Sequence, residues 1–151
     1  DGSAPSHRLA DSIKAIRAKL PPADLFINAR TDVYLRALAQ GPQAIAMVVD
    51  RAEEYAAAGA DGLFVPGLTR ADEAGQIAAN TSLALNLMLL PNLPDRTALR
   101  SAGVRRLSAG PALFQSAYAT LLQDSRAFLA GEGMPAHAAE LPFGQLNSLF
   151  A

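Results

Sequence analysis

Four short apolar segments alternate with amphipathic helices along the chain, and no other feature constrains the fold as strongly. The predicted strands lie within residues 25–29, 62–65, 83–90 and 104–108. Since the first three segments are almost continuously apolar instead of alternating apolar with polar residues, they are typical of a parallel sheet buried on both faces. The predicted fold class is therefore α/β, with four βα units, one helix before them and a helical tail after them.

Proline, glycine and short polar residues mark the ends of the predicted helices, because they cap or interrupt the helical hydrogen bonds. Thr69 and Asp72 have the spacing of a capping pair, which predicts the start of the third helix. The predicted helices are residues 9–20 before Pro21, Pro42 to Gly59, Thr69 to about Asn80, Asp95 to Ala102, and a long helix from Gly110 to about Leu129.

The length of the chain sets a second limit. Its 151 residues are enough for one domain, whereas a complete barrel of eight βα units needs roughly 200 residues or more. Four βα units therefore predict either a small open α/β domain or half of a barrel. The predicted domain spans residues 1–151: residues 1–110 hold the leading helix and the βα units, and residues 111–151 hold the last helix and the tail.

Composition excludes several classes of protein. The chain has no Cys, which excludes a disulfide scaffold, a thiolate nucleophile and a zinc-thiolate site. Its 13 basic and 14 acidic residues give a net charge of −1, so no nucleic-acid partner is expected. The apolar segments are far shorter than the about 20 residues that span a bilayer. Without such a span or a secretory signal, a cytoplasmic location and no membrane partner are expected.

Three polar residues lie where ligands bind in parallel α/β folds, at the carboxyl ends of the predicted strands. Arg30 offers a planar fork suited to a carboxylate or phosphate, or it forms a structural ion pair with Asp32. Asn86 interrupts an apolar strand, so its amide either bonds to neighbouring backbone or faces a ligand. Ser108 precedes a helix, where an anion site and an ordinary turn are both open.

Four segments resemble the isocitrate lyase/phosphoenolpyruvate mutase superfamily, in the same order and at similar spacing. Residues 26–32, FINARTD, are similar to the signature I-x-A-R-T-D, and residues 55–67, YAAAGADGLFVPG, to the strand after it. Residues 85–88, LNLM, resemble the P-L-N-V-M strand, and residues 103–110, GVRRLSAG, resemble the last strand. The chain is thus identified as similar to the C-terminal half of a carboxyvinyl-carboxyphosphonate phosphorylmutase-like protein.

The resemblance implies a (β/α)₈ TIM barrel of which this chain supplies strands five to eight. Members of the superfamily bind Mg²⁺ and cleave or form C–C or P–C bonds in small 2-oxo or 2-hydroxy carboxylates, through an enolate-like intermediate. The implied full-length protein is a lyase of this kind. It would be a homo-oligomer, a dimer or tetramer, in which the long last helix is exchanged between subunits.

The resemblance also assigns individual residues. Arg30 matches the catalytic arginine that grips the substrate, Asn86 matches a strand position facing it, and the magnesium ligands are expected before Asp1. His7 and Arg8 align with a gating loop in which lyases of the superfamily carry a catalytic Cys. Pro5 stands at that Cys position. Since proline has no acidic proton, an isocitrate-lyase mechanism is not expected, and a decarboxylase, phosphonate-bond enzyme or oxaloacetate-type hydrolase stays open.

Two alternatives belong to other classes. The chain could be a catalytically incomplete half-barrel that functions only as an assembly module, because an isolated half leaves open edge strands. It could also belong to a phosphate-binding barrel enzyme that uses the turn after Ser108.

Overall fold

A computed structural model describes residues 5–133, 137 and 140–150 of the chain. It divides into two units, residues 1–110 and residues 111–151, which are described separately. The elements of the first unit are α1 (Ser6–Arg17), β1 (Asn28–Arg30), α2 (Gly41–Ala58), β2 (Gly62–Phe64), α3 (Ala71–Ala79), β3 (Ala84–Met88), α4 (Arg96–Ser101) and β4 (Arg106–Ser108). The second unit holds α5 (Ala112–Leu129) and α6 (Phe143–Ser148).

The four strands form one parallel sheet in chain order, β1-β2-β3-β4, which confirms the predicted α/β class. Successive residues of a strand point to opposite faces, so the register sorts the side chains into two sets. The helix-covered face carries the buried residues Ala29, Leu63, Leu85 and Leu87, which join the core with apolar residues of α2 and α3. The polar face carries Asn28, Arg30, Phe64, Asn86, Arg106 and Ser108.

The strands are shorter than predicted, most clearly at β1. The predicted strand at residues 25–29 begins only at Asn28, and the Phe26 side chain is largely exposed. The reason is that backbone pairing with the next strand starts at Ile27, whose carbonyl accepts from the amides of Asp61 (2.9 Å) and Gly62 (3.1 Å). Apolar character alone did not show where that pairing starts.

Two helix starts also differ from the prediction. Helix α1 begins at Ser6, three residues before the predicted Leu9. The prediction that Thr69 caps α3 is wrong, because Arg70 is the N-cap residue and no side chain caps the helix. The Arg70 guanidinium instead binds Asp72, 2.6 Å away, and lowers the pKa of that carboxyl.

The predicted end of α2 and the predicted start of α4 are confirmed. Gly59 follows α2 with φ of +100°, a left-handed conformation that glycine adopts without strain. A Cβ at this position would also lie 2.8 Å from Cγ of Arg17, so the glycine makes room for that side chain. The Asp95 side chain accepts a hydrogen bond from the Ala98 amide at 2.8 Å and thereby caps α4.

An arginine clamp fastens α1 to the amino-terminal ends of the first two strands. Arg17 Nε donates to the Gly59 carbonyl at 2.7 Å, Nη1 donates to the Leu25 carbonyl at 2.8 Å, and Nη2 pairs with Asp61. The same Asp61 oxygen accepts from the Ile27 amide at 2.7 Å. The clamp therefore ties together the end of α1, the entry to β1 and the entry to β2.

The second unit consists of helices whose apolar side chains are exposed. None of the described residues of α5 is buried. Its exposed large apolar residues are Leu113, Phe114, Tyr118, Leu121, Leu122, Phe128 and Leu129. In the part of the chain that the structure describes, no helix combines the length and apolarity needed to cross a membrane.

Candidate active site

Arg30 ends β1, and its guanidinium is fixed from two sides. Its Nε donates to Asp32 Oδ1 at 2.6 Å, and its Cζ lies 6.0 Å from the centre of the Phe64 ring on β2. The Arg30 side chain is 47% exposed, whereas that of Asp32 is 12% exposed. Within the described residues, the two terminal nitrogens of Arg30 have no hydrogen-bond partner. The predicted ion pair thus exists, and it leaves free the part of the fork that binds a carboxylate end-on.

The turn after Arg30 is held by buried polar contacts. Thr31 is fully buried, its amide donates to the Phe64 carbonyl at 2.9 Å, and its hydroxyl accepts from Arg51 Nη1 at 3.2 Å. Sequence reasoning missed Arg51, which lies on α2. Because its position on the helix depends on how α2 crosses the sheet, no local pattern indicated this contact.

Asn86 and Ser108, both predicted to bind substrate, lie side by side on the polar face. Ser108 Oγ is 2.8 Å and 3.1 Å from the two polar atoms of the Asn86 amide. Asn86 is only 1% exposed. Asn28 on β1 completes this cluster, since its Nδ2 lies 3.2 Å from a polar atom of the Asn86 amide, which is the amide oxygen when the amide nitrogen faces the backbone carbonyls. Sequence reasoning missed Asn28, although its place two residues before Arg30 puts both side chains on one face of the strand.

The register brings Arg30, Asn86 and Ser108 to one region of the sheet. Arg30 stands opposite Phe64, Phe64 opposite Asn86, and Ser108 opposite Met88, two residues nearer the carboxyl ends of the strands. His7 and Arg8 lie exposed in the first turn of α1, in a helix instead of the expected loop. Their part in gating stays a prediction.

The described residues offer no metal site of their own. Over residues 5–133, 137 and 140–150, no three His, Asp or Glu side chains are grouped so that they could hold a metal ion. The site therefore consists of an arginine fork beside a buried amide and a serine hydroxyl. This combination can bind and orient an oxygen-rich anion.

Comparison with known proteins matches the chain to a family and to proteins about twice its length. Residues 2–129 match the phosphoenolpyruvate phosphomutase family. An uncharacterised protein of Mycobacterium tuberculosis is 32% identical over 140 residues, which are 92% of this chain and 50% of that protein. The chain thus spans about half the length of the curated relatives it matches.

Solved structures agree with the family match. A candidate phosphonomutase of Burkholderia cenocepacia is 35% identical, with a TM-score of 0.74 over 85% of this chain and 52% of that one. A phosphonopyruvate hydrolase solved in complex with oxalate and Mg²⁺ shares the fold at 18% identity, with a TM-score of 0.72 over 97% of this chain and 52% of that one. The chain belongs to the phosphoenolpyruvate phosphomutase family, within the phosphoenolpyruvate mutase/isocitrate lyase superfamily.

Proposed function

We propose that this chain forms the half of a magnesium-dependent lyase or mutase that binds the carboxylate of the substrate through Arg30. The whole protein would cleave or form C–C or P–C bonds in small 2-oxo or 2-hydroxy carboxylates. One observation carries the proposal: Arg30 is fixed by Asp32 and Phe64 at the carboxyl end of a parallel strand, with its terminal nitrogens unpaired among the described residues. This strand end is where α/β enzymes bind their ligands.

Arg30 would bind the acid and hold it in one orientation. A carboxylate that meets both terminal nitrogens accepts two parallel charge-assisted hydrogen bonds. Since Asp32 already holds Nε, the guanidinium plane is set before the ligand arrives, and less freedom is lost on binding. The guanidinium stays protonated, so Arg30 stabilises negative charge on the ligand and takes no part in proton transfer.

The sheet itself supports the half-barrel part of the proposal. In the described chain, β1 pairs only with β2 and β4 pairs only with β3, so each outer strand has one unpaired edge. Four further strands would close these edges into a (β/α)₈ barrel. We propose that β1 to β4 are strands five to eight of that barrel, as the half-length matches suggest.

Magnesium enters the proposal through a relative, whose structure contains oxalate and Mg²⁺. A bound Mg²⁺ would polarise the oxygens of the acid. The described residues of this chain do not fit the ion, because none of their side chains form a group that could hold it. The resemblance puts the ligands before Asp1, and the binding role proposed for Arg30 does not depend on the metal.

We expect the complete protein to convert an acid of this class only in the presence of Mg²⁺. The measurement is NMR detection of product from a panel of 2-oxo, 2-hydroxy and phosphono acids, with and without EDTA. Activity should fall to background with EDTA and return when excess Mg²⁺ is added. Turnover that survives EDTA would remove magnesium from the proposal, and failure to convert any member of the panel would contradict the activity.

We further propose that α5 packs against a second copy of the chain in a dimer or tetramer, by helix exchange. The support is its run of exposed apolar side chains, which is typical of an interaction surface.

Light scattering of the complete protein should therefore give the mass of a dimer or tetramer. Replacing the exposed Leu121 by Glu should shift the population to a smaller species, because a charge would be buried without a partner. Gln123→Glu, on the same helix, is the matched control and should leave the mass unchanged. A monomeric wild-type protein would contradict helix exchange.

A further inference from the structure

We propose that Ser108 selects acids that carry a hydroxyl group over the corresponding oxo acids, because it presents a hydrogen-bond acceptor to the ligand. This inference rests on the proposed function and names the substrate class of the same site. Ser108 is the specificity residue, which would touch the ligand. Asn86 and Asn28 are positioning residues, which act through Ser108.

The orientation of the Asn86 amide follows from its surroundings. With the amide nitrogen toward the backbone, Nδ2 donates to the carbonyl oxygens of Arg106 (3.1 Å) and Leu87 (3.2 Å), and it also lies 3.1 Å from Ser108 Oγ. The amide oxygen then accepts from Ser108 Oγ at 2.8 Å and from Asn28 Nδ2 at 3.2 Å. The opposite orientation would turn the oxygen toward two carbonyl oxygens, which a buried amide avoids.

Asn28 reaches Asn86 only because the strand between them carries a glycine. Asn28 is opposite Gly62 in the register of β1 and β2. A Cβ on Gly62 would lie 2.8 Å from Asn28 Oδ1, so the Asn28 side chain occupies space that any other residue would fill. The result is a hydrogen-bond network that crosses the sheet from β1 over β2 to β3 and β4.

These hydrogen bonds determine the direction of the Ser108 hydroxyl hydrogen. The Asn86 oxygen, at 2.8 Å, is a nearer acceptor for the Ser108 hydroxyl than the Leu87 carbonyl at 3.4 Å, so the hydroxyl donates its hydrogen to Asn86. Because the two hydrogens of Asn86 Nδ2 are directed to the carbonyl oxygens of Arg106 and Leu87, Ser108 Oγ keeps a lone pair for a ligand. Asn86 is buried, whereas Ser108 is half-buried and nearer the carboxyl end of the sheet. A hydroxyl group of the ligand can donate to this lone pair. An oxo group has no hydrogen to donate, so its oxygen would place a lone pair against the lone pair of Ser108, which is unfavourable.

The position of Arg30 sets the length of the ligand. Arg30 and Ser108 stand on the outer strands, which are about 14 Å apart across the sheet at roughly 4.8 Å per strand, and Ser108 lies two residues further toward the carboxyl ends. Arg30 shortens this gap because its guanidinium lies over Phe64 on β2. A ligand gripped by Arg30 must still extend toward β4, which favours a dicarboxylic hydroxy acid over glycolate.

The test compares malate with oxaloacetate, which differ only in a hydroxyl or oxo group. Calorimetric titration of the complete protein with Mg²⁺ should show malate binding about tenfold more tightly, which corresponds to about 1.4 kcal/mol. Ser108→Ala should remove this preference by weakening malate binding alone. Ser108→Thr keeps a hydroxyl and should retain the preference, and Asn28→Ala should reduce it about threefold. Thermal unfolding of each variant verifies that it is folded.

The two proposals fail in different ways. Equal binding of both acids by the wild-type protein, or equal weakening of both by Ser108→Ala, would overturn the selection by Ser108 and leave the role of Arg30 intact. Absence of binding for both acids, or binding that is insensitive to Arg30→Ala, would overturn the proposed function and this inference with it.

Discussion

Replacement of Arg30 by alanine is expected to lower kcat/KM by about a hundredfold to a thousandfold, the largest effect on activity of any single change in this chain. The reason is that the variant loses two charge-assisted hydrogen bonds to the ligand, together with the 2.6 Å hydrogen bond from Arg30 Nε to Asp32 Oδ1. Steady-state kinetics of the complete protein on the acid that it converts gives the measurement.

Two further variants distinguish the contribution of the planar guanidinium donors of Arg30 from that of its positive charge. Arg30→Lys keeps the positive charge but loses the planar arrangement of donors, so it should recover only a small part of the activity. Arg36→Ala removes an exposed arginine six positions along the chain and should leave kcat/KM unchanged. If Arg30→Ala retained wild-type turnover and affinity for 2-oxo and 2-hydroxy acids, the role given to Arg30 would be wrong.

Arg17→Met is expected to lower the free energy of unfolding by about 3–5 kcal/mol, because it leaves a partly buried carboxylate without its cation. The side chains of Arg17 and Asp61 are 11% and 25% exposed. The substitution also removes donors from the carbonyl oxygens of Gly59 and Leu25. Chemical denaturation followed by circular dichroism gives the free energies.

An exposed ion pair on the same helix provides the control. Asp11 and Lys14 are 3.9 Å apart with exposed side chains, so Lys14→Met should change the free energy of unfolding by less than about 1 kcal/mol. A double-mutant cycle of Arg17→Met and Asp61→Asn should show coupling of at least about 1 kcal/mol. Additive effects of the two substitutions on the free energy of unfolding would mean that Arg17 and Asp61 do not stabilise the fold through their mutual contact.

The order of elements could be predicted because each one is encoded locally. Continuous apolar runs identified the first three strands, and Gly59 and Asp95 marked helix ends by their own conformational and hydrogen-bonding properties. Thr69 misled the prediction because a capping residue needs the right backbone conformation as well as the right spacing, and Arg70 holds that position. The Arg17–Asp61 contact joins residues 44 apart, so it required the tertiary fold.

For the candidate site, individual residues could be predicted from the sequence, but the contacts between them could not. Arg30 and Ser108 were singled out because strand ends in α/β folds collect ligand-binding residues, whereas Asn86, which was placed at a strand end, lies in the middle of β3 and was marked by its interruption of an apolar run. The bond between Asn86 and Ser108 depends on the register of β3 and β4, and Asn28 depends on a glycine on another strand. Neither is visible in the residues taken one segment at a time.

Gly62 has a consequence for how this site can change by mutation. A side chain at position 62 would meet both Asn28 Oδ1 at 2.8 Å and the Phe26 ring at 2.9 Å. Positions 26, 28 and 62 are therefore coupled, because alanine at 62 requires the Asn28 side chain and the Phe26 ring to move or to become shorter. Directed evolution of the specificity of Ser108 should therefore vary these positions together, since a substitution at 62 displaces the Asn28 side chain that reaches Asn86.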